Sequence, residues 1–239
     1  MNREYTRWYS PILKRDMEAL VFGQGGYPIL AFPDVQGRFF QYEDCGIIAA
    51  LLPGLEEGRF QIFCVDSLDA ESWCNADIAP ARRIQRHEEF EAYIVKEFIP
   101  FIRKRNRSTH SLTVNGCGFG GYHAVNFSFR HPEMVKRVVG IGGTYDISGR
   151  LDGFYDPSVY FNSPFHFLPE LNDEWYLFYL RNYMEIWLAD GEKEESAASA
   201  LGLSAILTEK QIPHGLDLWG PETGHDWADR RRMIQKFVV

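Results

Sequence analysis

Val114-Asn115-Gly116-Cys117-Gly118-Phe119-Gly120-Gly121 joins a short apolar run, residues 111–114, to a stretch, residues 120–130, that reads as a helix closed by His131-Pro132. A strand that passes into a helix through four glycines has two chemical readings. As G-x-G-x-x-G, Gly116, Gly118 and Gly121 have the spacing of a dinucleotide fingerprint, where bare backbone approaches a pyrophosphate at a helix N-terminus. As G-x-S-x-G, Gly116 and Gly120 flank a nucleophile elbow, and Gly118 stands where serine belongs.

The surroundings favour the elbow. A dinucleotide site normally opens the first βαβ unit, with an acidic residue about twenty positions on. Here several strand-like segments come first, and the acidic candidate, Asp146, lies late and beyond Gly142-Gly143. Dinucleotide binding at this turn is kept as a second alternative. An elbow should be followed by an acid and then a histidine. Leu188-Ala189-Asp190-Gly191-Glu192-Lys193-Glu194 ends a strand-like run, and Trp219-Gly220-Pro221-Glu222-Thr223-Gly224-His225-Asp226-Trp227 follows late in the chain. Both lie where the remaining two members belong.

Outward from the elbow, apolar runs alternate with helical patterns, as in a mostly parallel sheet wrapped by helices. Residues 19–23 and 27–32 read as strands separated by a Gly-Gly turn, and 59–65 as the next. Residues 42–55 read as a helix, with Ile47, Ile48, Leu51 and Leu52 on one face. A long helix within 86–104 carries the stripe Phe90, Tyr93, Ile94, Phe98 and Ile102 at helical spacing. Strands at Val135–Ile141, 184–188 and 216–219, a helix over 194–210 and a last helix from about Asp226 complete the alternation. Residues 147–172, LDGFYDPSVYFNSPFHFLPEL at their centre, break it with aromatics and prolines and read as a small cap insertion within a single domain spanning 1–239.

The chain of 239 residues is 45% hydrophobic and 24% charged, the profile of a globular protein. A formal charge of −8 and short basic runs argue against nucleic acid as a partner. The polar start has no signal-like apolar segment, and no run is long enough to span a membrane, so a cytoplasmic protein with no membrane partner is expected. Cys45, Cys64, Cys74 and Cys117 form no CxxC pair and no zinc-like pattern with histidine. Neither metal nor cofactor is expected.

With these segments in view, the chain resembles the putative-esterase family of α/β-hydrolases, the group related to esterase D and S-formylglutathione hydrolase. FPDVQGRFFQYEDCG is similar to the family's segment after its third strand, and VDSLDAESW to its next strand and turn. GCGFGGYHAVNFSFRHP resembles its G-C-S-x-G-G elbow with the helix that follows, and GPETGHDW its histidine loop. The resemblance implies an α/β-hydrolase fold, His225 at the catalytic histidine, and Glu194 at the acid with Asp190 as its alternative. It implies oxyanion-hole N–H groups from Phe119 and from Val35 or Gln36. The nucleophile position falls on Gly118, the main departure from the pattern.

Glycine tolerates the strained backbone of an elbow at little cost but brings no attacking oxygen. The adjacent Cys117 is expected to point away from the pocket as a buried, inert thiol. His123 and His131 read as packing or capping histidines. The expected function is an esterase-like α/β-hydrolase homologue without its serine nucleophile, catalytically impaired, that binds a small ester-like or acyl ligand or a protein. The alternative is a serine carboxylesterase with a Ser-His-acid mechanism, represented here by a nucleophile-substituted form. Homo-oligomerisation is left open.

Overall fold

The structure, a computed structural model, describes residues 1–107, 110–224 and 226–238. Eight strands form one sheet in the order β1-β2-β4-β3-β5-β6-β7-β8. They are β1 (Arg3–Ser10), β2 (Arg15–Phe22), β3 (Tyr27–Phe32), β4 (Phe60–Val65), β5 (Leu112–Cys117), β6 (Val135–Ile141), β7 (Glu185–Gly191) and β8 (Gly215–Trp219). The pairs β1/β2 and β2/β4 are antiparallel, and every pair from β4 to β8 is parallel. This is the mostly parallel sheet that the alternating pattern predicted, in the α/β-hydrolase arrangement that the family resemblance implied.

Parallel strands are covered on both faces, so they read as continuous apolar runs. β4 (FQIFCV) is buried at all six positions. On one face, α4 (Pro80–Tyr93) and α5 (Ile99–Asn106) flank a π-helical turn, Ile94–Phe98. The predicted stripe Phe90, Tyr93, Ile94, Phe98 and Ile102 packs there against Leu30, Phe63 and Val114. Pro100 lacks an N–H and would crowd the preceding turn, and the widened π turn lies where that conflict falls. On the other face, Ile47, Ile48, Leu51 and Leu55 meet Met233, Ile234 and Phe237 of the last helix.

Local readings differ from the structure in three places. Residues 42–55 form not one helix but three short ones, α1 (Gln41–Asp44), α2 (Ile47–Ala50) and α3 (Leu52–Glu56). Gly46, at φ 74°, breaks the first from the second, and Pro53 starts the third. The strand read at 19–23 begins earlier, as β2 over Arg15–Phe22, and β4 lies between it and β3. β1 was not anticipated: Arg3, Tyr5, Arg7 and Tyr9 face solvent at this edge, so its apolar signal is weak.

The remaining helices are α6 (Phe119–Arg130), α7 (Pro157–Phe161), α8 (Pro164–Glu170), α9 (Glu174–Asn182), α10 (Ala197–Glu209) and α11 (Trp227–Val238). The aromatic insertion is therefore largely helical. Asp156 caps α7 by accepting from the Val159 N–H at 3.0 Å, and prolines sit at the starts of α7 and α8. Among the described residues, no helix is long and apolar enough to cross a membrane.

Candidate active site

β5 ends at Cys117 and α6 begins at Phe119, so Gly118 alone makes the turn, at φ 57° and ψ −126°. A side chain is strained at that backbone conformation, which glycine adopts freely. Its N–H donates to the Ile141 carbonyl at 2.8 Å, and its carbonyl accepts from the Gly121 N–H at 2.9 Å. The flanking glycines are needed for close approach. A Cβ on Gly116 would stand 2.1 Å from the Gly120 carbonyl oxygen, and one on Gly120 2.4 Å from that of Pro33. These contacts explain the G-x-x-x-G frame around the turn.

The space beside Gly118 is already filled. A Cβ there would lie 2.1 Å from Oδ1 and 2.4 Å from Cγ of Asp34, on the loop after β3. Asp34 Oδ1 accepts from the Phe119 N–H at 2.9 Å and from the Val35 N–H at 2.6 Å. Oδ2 accepts from the guanidinium of Arg230 at 2.7 Å. Arg230 is 4% exposed and stacks over Trp227 with 4.7 Å from guanidinium carbon to ring centre. The loop itself is pinned, because the Asp34 N–H donates to Gln41 Oε1 at 2.7 Å. Phe119 and Val35, the N–H pair read as an oxyanion hole, thus converge on one carboxylate oxygen at the distance such donors hold a developing charge.

Gln36, the other candidate, faces elsewhere. Its N–H donates at 3.1 Å to Oδ2 of Asp69, whose Oδ1 meets Nε2 of His123 at 2.9 Å. The buried Asp69–His123 pair thereby ties the β3 loop to α6, which gives His123 a packing role. His131 meets Glu91 at 2.9 Å at the far end of the same helix. Cys117 is fully buried, and burial pushes its thiol up to about 12, so it carries no thiolate near neutral pH.

Of the two acid candidates, Asp190 is buried at the end of β7 and its Oδ1 accepts from the Gly191 N–H at 2.8 Å. Glu194 is half-buried on the turn before α10 and lines a cavity in front of the elbow. Gly191 packs tightly against the late loop: a Cβ on it would come within 2.5 Å of the Thr223 carbonyl oxygen. His225 lies outside the described residues. The residues just before it are held, with the Gly224 N–H donating to Asp229 Oδ2 at 2.9 Å and the Thr223 N–H to the Gly220 carbonyl at 2.9 Å.

The cavity measures about 860 Å³. Gly118 and Phe119 form its base, and Arg150 and Phe165, from the insertion, contribute to its wall. Four carboxylates, Asp34, Asp146, Glu194 and Glu195, line it with a single guanidinium, Arg150, which stacks on Phe119 at 4.3 Å. Burial raises the Asp146 carboxyl, but hydrogen bonds from Ser148 and the nearby His166 outweigh it and hold the group below its ordinary range. Among the described residues, no group of His, Cys, Asp and Glu has the arrangement of a metal site.

Asp34 and Arg230 were not singled out from the sequence. Asp34 stood in the recognised segment FPDVQG, one position before Val35, and Arg230 looked like one member of a solvated basic run. A carboxylate immediately before a presumed oxyanion donor was the available signal.

Residues 23–237 match the family described as Putative esterase, and the chain belongs to that family. Among curated proteins, none is a significant sequence match. Solved structures share the fold at low identity. A ferulic acid esterase superposes with a TM-score of 0.78 at 16% identity, covering 98% of this chain and 95% of that one. An S-formylglutathione hydrolase from Agrobacterium tumefaciens gives 0.78 at 12% identity, covering 99% and 92%. A fluorophosphonate-binding serine hydrolase from Staphylococcus aureus, FphF, gives 0.76 at 13% identity, covering 98% and 96%.

Proposed function

We propose that this esterase-family protein binds a small ligand in the elbow cavity and does not cleave esters by a serine mechanism. The observation that carries the reading is the Asp34 carboxylate, which stands where a side chain at position 118 would begin and accepts both candidate oxyanion donors. Ester hydrolysis needs an attacking oxygen and donors available to the charge that forms on the carbonyl oxygen. Gly118 brings no oxygen, and Asp34 holds the donors. The same carboxylate speaks against dinucleotide binding, since a pyrophosphate at the start of α6 would meet a fixed negative charge rather than open N–H groups.

The cavity of about 860 Å³ is large enough for a small organic ligand. In the rival reading, the chain is a carboxylesterase that works with serine at position 118. That reading requires Asp34 to swing away from Arg230 and from both N–H groups whenever the serine is present.

Hydrolysis of p-nitrophenyl acetate by the native chain, by Gly118→Ser and by Gly118→Ser/Asp34→Ala separates these readings. Binding without cleavage predicts that the first two proteins match the uncatalysed rate. Activity in the double variant alone would mean that His225 and an acid, Glu194 or Asp190, remain competent behind the carboxylate. Rapid turnover by the native chain, or by Gly118→Ser alone, would overturn the proposal.

A further inference from the structure

A second cavity, of about 370 Å³, lies between the C-terminal end of α6, the insertion helices α7 and α8, and the start of α9, and shares no lining residue with the elbow cavity. Its walls are rings: Tyr160 and Phe161 from α7, Phe167 from α8 and Tyr176 from α9. Tyr160 and Phe161 stand edge to face, their centres 4.9 Å apart at 83°. Phe161 is 55% exposed, a large apolar ring left at the lip of a pocket rather than folded into the core.

The cations around these rings are already engaged: the Lys210 ammonium donates to the carbonyl of the lining residue Leu171 at 2.9 Å. Arg130 and His131 line the inner end, but both turn to the same buried carboxylate, Glu91, each at 2.9 Å. The carboxylates of Glu170 and Asp173 sit at the outer end, on exposed residues. Glu170 Oε2 accepts from the Tyr160 hydroxyl at 2.9 Å, which fixes the ring that forms one wall. Asp173 Oδ1 accepts from the Trp175 N–H at 2.8 Å and so is held at the mouth by the start of α9.

Aromatic faces carry negative charge density and attract cations, and carboxylates beside them add to the attraction. An anion would meet two carboxylates on entry, and the nearest guanidinium is already paired. A neutral apolar molecule would gain only the ring contacts. We infer that this cavity is a binding site for a small organic cation of the substituted-ammonium class, held by the rings of Tyr160, Phe161 and Tyr176 and the carboxylates of Glu170 and Asp173. The inference is independent of the elbow, because no residue that lines the elbow cavity takes part.

Calorimetric titration of the intact protein with choline chloride, and with its neutral isostere 3,3-dimethyl-1-butanol, tests the site. The expected result is saturable one-to-one binding of choline, with the alcohol at least about tenfold weaker, the difference a cation–π site makes. Phe161→Ala and Glu170→Gln alter exposed side chains, so both variants should fold, and each should weaken choline by about three- to tenfold. Absence of saturable choline binding would overturn the inference. So would equal affinity for the alcohol, or choline affinity unchanged in both variants.

Discussion

Asp34 and Gly118 occupy one site between them: Oδ1 of Asp34 lies 2.1 Å from the position a Cβ on Gly118 would take. The two residues sit on different loops, after β3 and after β5, and Arg230 of α11 closes the arrangement from a third direction. Loss of a nucleophile alone would leave an opening above the elbow. Here the volume and the two N–H groups are taken by an internal carboxylate, the arrangement on which the proposed binding role rests.

Gly118→Ser should therefore cost stability as well as fail to restore chemistry. A non-glycine residue at this positive φ is strained by about 1–3 kcal/mol, and the new Cβ must displace the Asp34 carboxylate from its three donors. For a chain of this size that corresponds to a fall in melting temperature of roughly 3–10 °C. Thermal unfolding followed by circular dichroism gives the number. A variant as stable as the native chain would mean that Asp34 moves aside freely.

Asp34 itself should be more important to the fold than a cavity-lining carboxylate normally is. Hydrogen bonds to charged groups contribute about 1.5–3 kcal/mol each, and Asp34 makes one to a nearly buried guanidinium. Asp34→Ala is expected to lower the unfolding free energy by about 2–4 kcal/mol in urea titrations. Asp34→Asn should fall between, since an amide oxygen can still accept from Val35 and Phe119 while the charge facing Arg230 is lost. Equal stability of all three proteins would contradict a structural role for the pair.

How much of this was readable in the chain differs from element to element. Val135–Ile141 was bounded correctly because the β-branched Val135, Val138, Val139 and Ile141 are buried in the sheet, with only Lys136 exposed among its residues. The stripe from Phe90 to Ile102 identified the helical face that covers the sheet, even through the π turn that the pattern did not reveal. The order of strands is another matter. That β4 inserts between β2 and β3 depends on crossover geometry, which local periodicity does not encode. The elbow was legible because its four glycines fall within a single six-residue stretch, Gly116 to Gly121. The Asp34–Arg230 pair spans 196 positions, and neither residue differs locally from a loop carboxylate or a solvated arginine.

The four cysteines should divide into two reactive and two silent thiols. Cys64 and Cys117 are buried in the sheet, and burial pushes both thiols up, that of Cys117 to about 12. Cys45 and Cys74 are only partly covered. In native protein at pH 8, Ellman's reagent should modify Cys45 and Cys74, with all four reacting after denaturation. Mass spectrometry of trapped peptides assigns the sites. Fast modification of Cys117 in the folded protein would revive it as a candidate nucleophile beside the elbow.

Acid sensitivity should centre on His87, which connects α4 to the insertion. The ring is 4% exposed, and Nε2 lies 3.1 Å from Oδ1 of Asn162, the residue after α7. That oxygen only accepts here, since Asn126 also donates to it at 3.0 Å, so Nε2 carries the proton. Nδ1 is buried with no hydrogen-bond partner, and a second proton there would be a buried charge with no acceptor. Burial accordingly pushes the His87 pKa well below the ordinary histidine value, and nearby His123 and Arg130 push it the same way, against the Asn162 hydrogen bond. Between that lowered folded value and the unfolded value near 6.5, the unfolded chain binds a proton that the folded one refuses. The stabilisation is therefore complete above about pH 6.5 and declines as pH falls, by up to about 1.4 kcal/mol per unit from this one group. His87→Phe keeps a ring against Trp73 and Tyr122 but cannot titrate. Urea unfolding at pH 7.5, 6.5 and 5.5 should show a shallower loss on the acid side in the variant than in the native chain. Parallel pH profiles for the two proteins would remove His87 as the source.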